Sequence, residues 1–153
     1  MDLSIRELAE SVVIRRGEPT QPFGLYLLAG NDPAAELSRH VEREVFLEYF
    51  GNTGDFLASE YGAYENTSLF LCVIDHRRLA PAGVMRMILP SEAGQKSLHD
   101  IERVWRESPD DVFERTGVRF DPARVWDIAT LAVANDYRGR NSEGLISLAL
   151  YQA

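Results

Sequence analysis

The sequence predicts a mixed α/β (α+β) domain in which a mostly antiparallel sheet is flanked by helices. Three observations carry this. Four short apolar or aromatic runs, at residues 24–29, 68–74, 82–89 and 125–134, read as buried strands. Two longer stretches, 33–50 and 143–152, carry apolar residues at helical spacing. Only residues 76–81 turn between the second and third strands, which makes those two an antiparallel hairpin whose register the turn alone does not fix.

The elements follow in order. Residues 1–16 form an amphipathic helix with Leu3, Leu8, Ala9 and Val12 on one side, a docking arm that ends at the breaker stretch 17–22. Gly24 to Ala29 is the first strand. Asp32 then caps and Pro33 opens a helix with Leu37, Val41 and Val45 inward and Phe46 and Tyr49 broadening its apolar face. It stops near Gly51, and a shorter helix covers Asp55 to Tyr61. The excursion 90–124 holds two helical pieces. One carries Leu98, Ile101 and Trp105; the other begins at Ser108-Pro109-Asp110-Asp111 and closes at Gly117. An insertion of this length between strands commonly shapes a substrate site, and its apolar members suit either an acyl pocket or ordinary packing. After the last strand and a polar turn, the final helix places Leu145, Leu148 and Ala149 inward.

Composition narrows the function. The chain has 153 residues, the size of one domain, and its 45% hydrophobic and 26% charged content is that of a globular protein rather than a disordered one. A net charge of −8 opposes binding to nucleic acid unless a basic patch is strongly localised. Cys72 stands alone, so no internal disulfide forms. The N-terminus does not read as a signal peptide, and no run approaches the roughly 18 apolar residues of a membrane span. The expectation is a soluble cytoplasmic protein with no membrane or nucleic-acid partner. Lys96 is the only lysine beside fifteen arginines, which favours planar recognition of carboxylates or phosphates over amine chemistry. His40, His76 and His99 lack metal-ligand spacing, so no metal is expected.

The strongest functional signal is Leu131-Ala-Val-Ala-Asn-Asp-Tyr-Arg-Gly-Arg140 leading into the last helix. A strand ending in a glycine- and arginine-containing turn presents backbone N–H groups at a helix N-terminus, a setting suited to a pyrophosphate. Arg138 and Arg140 add positive charge there. A solvated turn is the plainer alternative.

This order of elements resembles the GNAT superfamily of N-acetyltransferases. Leu131, Val133, Tyr137, Arg138 and Gly139 stand in the family's Leu-x-Val, three residues, Tyr-Arg-Gly pattern. The resemblance implies acetyl-coenzyme A or another acyl-coenzyme A as donor and a small-molecule amine as acceptor. Leu131, Ala132 and Val133 would line the pantetheine arm. Arg138, Gly139, Arg140, Asn141, Ser142 and Gly144 would hold the pyrophosphate. The family's turn has small residues where this chain has Asn141 and Glu143.

Within the superfamily, Glu44-Val45-Phe46, Arg86-Met-Ile-Leu-Pro90 and Trp126-Asp127-Ile-Ala-Thr-Leu-Ala-Val133 resemble the acyl-homoserine lactone (autoinducer) synthases over roughly residues 24–153. Arg86 matches a family arginine, Asp127 stands for a glutamate, and Glu65 for an aspartate. Glu42 and Thr130 occupy family arginine positions, Asn52 a tryptophan position and Gly62 an aspartate position, which argues against lactone synthesis itself.

Acyl transfer to an amine needs a base, a polarised carbonyl and a protonated leaving thiolate. Asp127 is the candidate base, or else the partner of Arg86 on the neighbouring strand; the two roles are compatible. Tyr137 is a candidate acid for the thiolate. By the resemblance, residues 1–23 are an N-terminal arm and 24–153 the N-terminal portion of an acyl-coenzyme A N-acyltransferase domain, truncated after the phosphate-turn helix. A homodimer or a completing C-terminal segment would then cover the edge of the fourth strand. The competing reading is a GNAT-like binding or interaction domain without catalysis.

Overall fold

The computed structural model describes residues 4–15, 17, 19–139 and 141–153, without the side chains of 141–143. Strands β1 (Phe23–Ala29), β2 (Ser68–Asp75), β3 (Ala80–Ile88) and β4 (Asp127–Val133) form one antiparallel sheet in the order β1-β2-β3-β4. The helices are α1 (Ile5–Arg15), α2 (Glu36–Phe50), α3 (Gly54–Tyr61), α4 (Lys96–Asp100), α5 (Pro109–Thr116) and α6 (Asn141–Gln152), joined by short 3-10 turns. Among the described residues, no helix is long and apolar enough to cross a membrane.

The ends of these elements are set by local chemistry. The Asp32 side chain accepts from Ala34 N at 2.8 Å, and Pro33 opens the 3-10 turn that feeds α2. Gly51 closes α2 with φ 68°, a left-handed geometry that glycine adopts without penalty. Thr53 caps α3, and Ser108 and Gly117 bracket α5. The hairpin turn is tied by Asp75, whose Oδ1 accepts from the Arg77 and Arg78 amides at 2.9 and 3.1 Å.

The sheet has two covered faces. On one lies α2, which buries Leu37, Val41 and Val45, with Leu8, Ala9, Val12 and Val13 of α1 packed beside it. On the other, α6 crosses β2, β3 and β4. Its inward residues are Ile146 and Leu150, each 1% exposed, whereas Leu145 and Leu148 are about half exposed. This corrects Leu145 and Leu148 in the inward set read from sequence, while Ala149 does pack, half-buried, against the core: five apolar residues in a row of six leave the helical phase open, and contact with β3 decides it. Gly83 makes that contact possible, because a Cβ there would stand 2.5 Å from Ile146 Cγ2 and 3.2 Å from the Ala132 carbonyl.

The β3–β4 register matters most for function. Arg86 lies opposite Thr130 and Ile88 opposite Asp127, with an irregularity between Arg86 and Met87 that leaves Ala129 unmatched. Such a bulge turns two residues three apart onto one face. Asp127 and Thr130 therefore both point to the α2 side and are buried, while Ile128 and Leu131 face the other way, exposed. The outer edge of β4 has no strand partner among the described residues. The excursion differs from expectation too. Its first piece is α4 followed by a π turn at Ile101–Trp105, and Trp105 is 70% exposed rather than packed.

Gly83→Val is expected to lower stability by about 1–3 kcal/mol through overpacking against α6. A urea titration checks this by a lower midpoint with an unchanged slope.

Candidate functional site

The bulged register gathers a charged cluster beneath α2. Arg86, on a central strand, is 2% exposed. Its Nε and Nη2 donate to the two oxygens of Glu42 at 2.9 and 2.6 Å, and its Nη1 donates to Glu65 Oε1 at 2.9 Å. Thr130 of β4 donates to Glu42 Oε1 at 2.5 Å. Arg39 of α2 donates to Glu65 Oε2 through Nε and Nη2, and to the Gly30 carbonyl. The Arg86 guanidinium also lies over two aromatic rings, Tyr61 and Phe70, each with its centroid at 4.5 Å. Lys96 lies over the same Tyr61 ring at 5.3 Å and Arg39 over the same Phe70 ring at 5.7 Å.

Charges this deep persist only when paired and hydrogen-bonded. Burial pulls the Arg86 pKa down, but Glu42 and Glu65 outweigh it and raise the pKa above the ordinary value. Glu65 shows the converse. Burial favours its neutral form, yet Arg39 and Arg86 together hold its pKa below the usual value.

The cluster opens on a cavity of about 260 Å³ lined by Arg39, Arg43, Glu42, Glu65 and Arg86 on one side and by Gly54, Leu57, Ala58 and Gly62 on the other. Both oxygens of each lining carboxylate already accept from arginine, so neither serves as a ready base. Arg43 is tethered to Glu36. What the cavity offers a ligand is guanidinium N–H groups beside a small apolar wall.

The other predicted residues lie apart from this cluster. Asp127 is buried, but it does not pair with Arg86. It accepts from Ser97 N at 2.8 Å and from Ser97 Oγ at 2.6 Å, which fastens the start of α4 to β4. The expected Asp127–Arg86 pair does not form: Asp127 lies across from Ile88, two residues further along β3, and Thr130 lies across from Arg86. Tyr137 sits past the opposite end of β4, beyond Val133, which is six residues or about 20 Å along the strand from Asp127. It is buried and donates to Asp75 Oδ2 at 3.1 Å, and burial beside that carboxylate pushes its pKa up to about 12. Asp127, Arg86 and Tyr137 are thus not assembled into one catalytic group in this state.

Leu131, Ala132 and Val133 lie on β4, whose outer edge has no strand partner among the described residues, with Leu131 partly exposed and the other two buried. Arg138 turns back rather than outward. Its Nε donates to the Val133 carbonyl at 2.7 Å, its guanidinium lies 4.3 Å over Tyr49, and Glu48 is 3.8 Å from Nη1. That Nη1 is buried without a hydrogen bond. Gly139 takes φ 62°. Gly144 is exposed on α6 with open space around it. Arg140 lies outside the described residues, as do the side chains of Asn141, Ser142 and Glu143. Cys72 is fully buried, and burial raises its thiol pKa to about 12, so it is inert.

Comparison with family models, curated proteins and solved structures finds no match. Geometry therefore carries the assignment. Sequence reasoning gave Glu42, Glu65 and Thr130 only as positions in a resemblance, and it missed Arg39. One signal was present for Glu42: it falls on the same helical stripe as Ser38, Val41 and Val45, where a carboxylate has no business unless it is paired.

Arg86→Met is expected to cost about 3–5 kcal/mol, because it strands Glu42 as an unpaired buried charge; chemical denaturation measures it, and Arg86→Met combined with Glu42→Leu should recover much of the loss. Bonds from Arg103 and Lys96 also lower the Glu60 pKa from 4.5 to about 2. A depressed carboxylate stabilises the fold above its unfolded pKa and loses that contribution as pH falls towards its folded one. Thermal melts should therefore show a loss between about pH 4.5 and 2 that is smaller in Glu60→Gln.

Proposed function

We propose that this chain is an acyl-coenzyme A-dependent N-acyltransferase of the GNAT type, acting on a small-molecule amine. The observation that carries the reading is the end of β4. A strand edge with no strand partner among the described residues runs into a tight turn with left-handed Gly139, beside the half-buried Arg138, whose Nη1 is unbonded, and α6 follows at once. An extended pantetheine arm can hydrogen-bond to such an edge, and a pyrophosphate suits the turn and helix start. The surrounding frame supports the same reading: an antiparallel β1–β4 sheet, α2 on one face and α6 on the other.

The cavity beneath α2 and α3, which offers guanidinium N–H groups, is assigned to a hydrogen-bond-accepting or anionic part of the acceptor molecule. Thr130 ties β4 into the cavity's charged wall through Glu42. In the reaction the amine nitrogen attacks the thioester carbonyl carbon, the C–S bond breaks, and the thiolate takes up the proton that the amine gives up. Arg86 acts as a positioning residue, holding Glu42 and Glu65 so that the cavity keeps its shape. Asp127 serves as base only when Ser97 releases it. Tyr137, committed to Asp75, is assigned to holding the turn on β2.

A second reading, a non-catalytic GNAT-like binding or interaction domain, draws on a specific observation: Arg86, Asp127 and Tyr137 all spend hydrogen bonds on neighbours within the chain. Acyl-homoserine lactone synthesis is the third, and Glu42 bonded to Thr130, where the synthases have two arginines, weighs against it.

Calorimetry with acetyl-coenzyme A and a longer acyl-coenzyme A separates these readings. The transferase reading expects saturable heat that weakens about ten-fold or more in Arg138→Ala, with binding retained but turnover reduced in Asp127→Asn. No heat at millimolar ligand favours the interaction domain.

A further inference from the structure

From Ser97 to Trp126 not one residue is buried. The π turn and α5 contribute nothing to the core, and Val104, Trp105, Val118 and Trp126 are each more than half exposed. The segment's attachments to the rest of the chain lie near its two ends. Asp127 holds Ser97. Lys96 reaches Glu60 at 2.8 Å and Asp100 at 2.7 Å, and Arg103 pairs with the same Glu60. His99 bonds Tyr64. Gln95, itself buried, draws the far end in by donating from Nε2 to the carbonyls of Pro122 and Val125. Between these ends the polar contacts are internal, as in Arg115 with Glu107, and Phe113 stacks on Phe120 at 4.3 Å.

We infer that residues 97–126 form a strap that opens as one unit ahead of the sheet, and that its closed state keeps the Asp127 carboxylate occupied. Opening takes no buried side chain of the segment's own out of the core, breaks a few clasps at the base and releases the conformational entropy of the whole segment, the combination that sets a low opening free energy. It also relieves Arg106, which sits at φ 57°, a left-handed conformation unfavourable for a residue with a Cβ. Because Ser97 supplies both donors to Asp127, the carboxylate loses them together when α4 lifts. That this matters for acyl transfer rests on the transferase reading; the opening itself does not.

Hydrogen exchange read by mass spectrometry on the intact chain, with no ligand, tests the strap. In the wild type, α4 and α5 amides should exchange at least about a hundred-fold faster than those of β2 and β3. Lys96→Met should speed exchange in the strap roughly ten-fold and leave β2 and β3 unchanged. The acceleration must include α5, which makes no bond to Lys96. Ser97→Ala, which removes one donor to Asp127, should act in the same direction. Strap amides as slow as those of β2, a change confined to residues 96–100, or equal acceleration of strap and sheet would each overturn the proposal. Failure to bind acyl-coenzyme A would instead overturn the transferase reading and leave the strap standing.

Discussion

A guanidinium buried in the middle of a sheet must be neutralised where it stands, and most of the architecture around the cavity answers that requirement. Arg86 takes one carboxylate from α2 and another from the 3-10 turn after α3, and it lies over a ring from α3 and a ring from β2. Glu42 in turn takes a hydroxyl from β4. One side chain thereby ties together three strands and two helices that are far apart in sequence. An apolar residue of similar volume would pack as well, so the cluster is weak evidence for stability as such. Its stronger consequence is geometric, because α2 and α3 can seat on the sheet in only the position that satisfies both carboxylates.

The two ends of β4 serve different purposes, and the bulge at Ala129 separates them. Towards its start, Asp127 turns inward and clasps the base of the excursion. Towards its end, the strand runs regularly into the turn that holds Tyr137 and Arg138. A strand without the bulge would send Asp127 and Thr130 to opposite faces, breaking either the clasp or the cluster. The excursion depends on that clasp more than on packing, which accounts for its exposed aromatic residues lying outside any core.

Some of this was legible from the residues alone. The strands, the α2 caps, the Ser108 start and Gly117 stop of α5, and the turn after β4 carry short-range signals: a capping side chain, a proline, a glycine or an apolar run. The phase of α6 was not legible, because consecutive apolar residues fit several helical faces. Nor was the partner of Arg86. Strand order on its own made Asp127 the nearest carboxylate, but the register sets it across from Ile88, and Arg86 takes two glutamates from elsewhere in the chain.

By itself the sequence determined the element types and most of their ends, together with the hairpin, since those depend on contacts within a few residues. It also placed Arg86 on a strand beside that of Asp127. Only the tertiary structure decided which groups neutralise the charge on Arg86, which face α6 shows the sheet, and that the excursion stays on the surface. Those outcomes follow from register and burial, which arise when segments distant along the chain meet and each buried charge must find its counterpart.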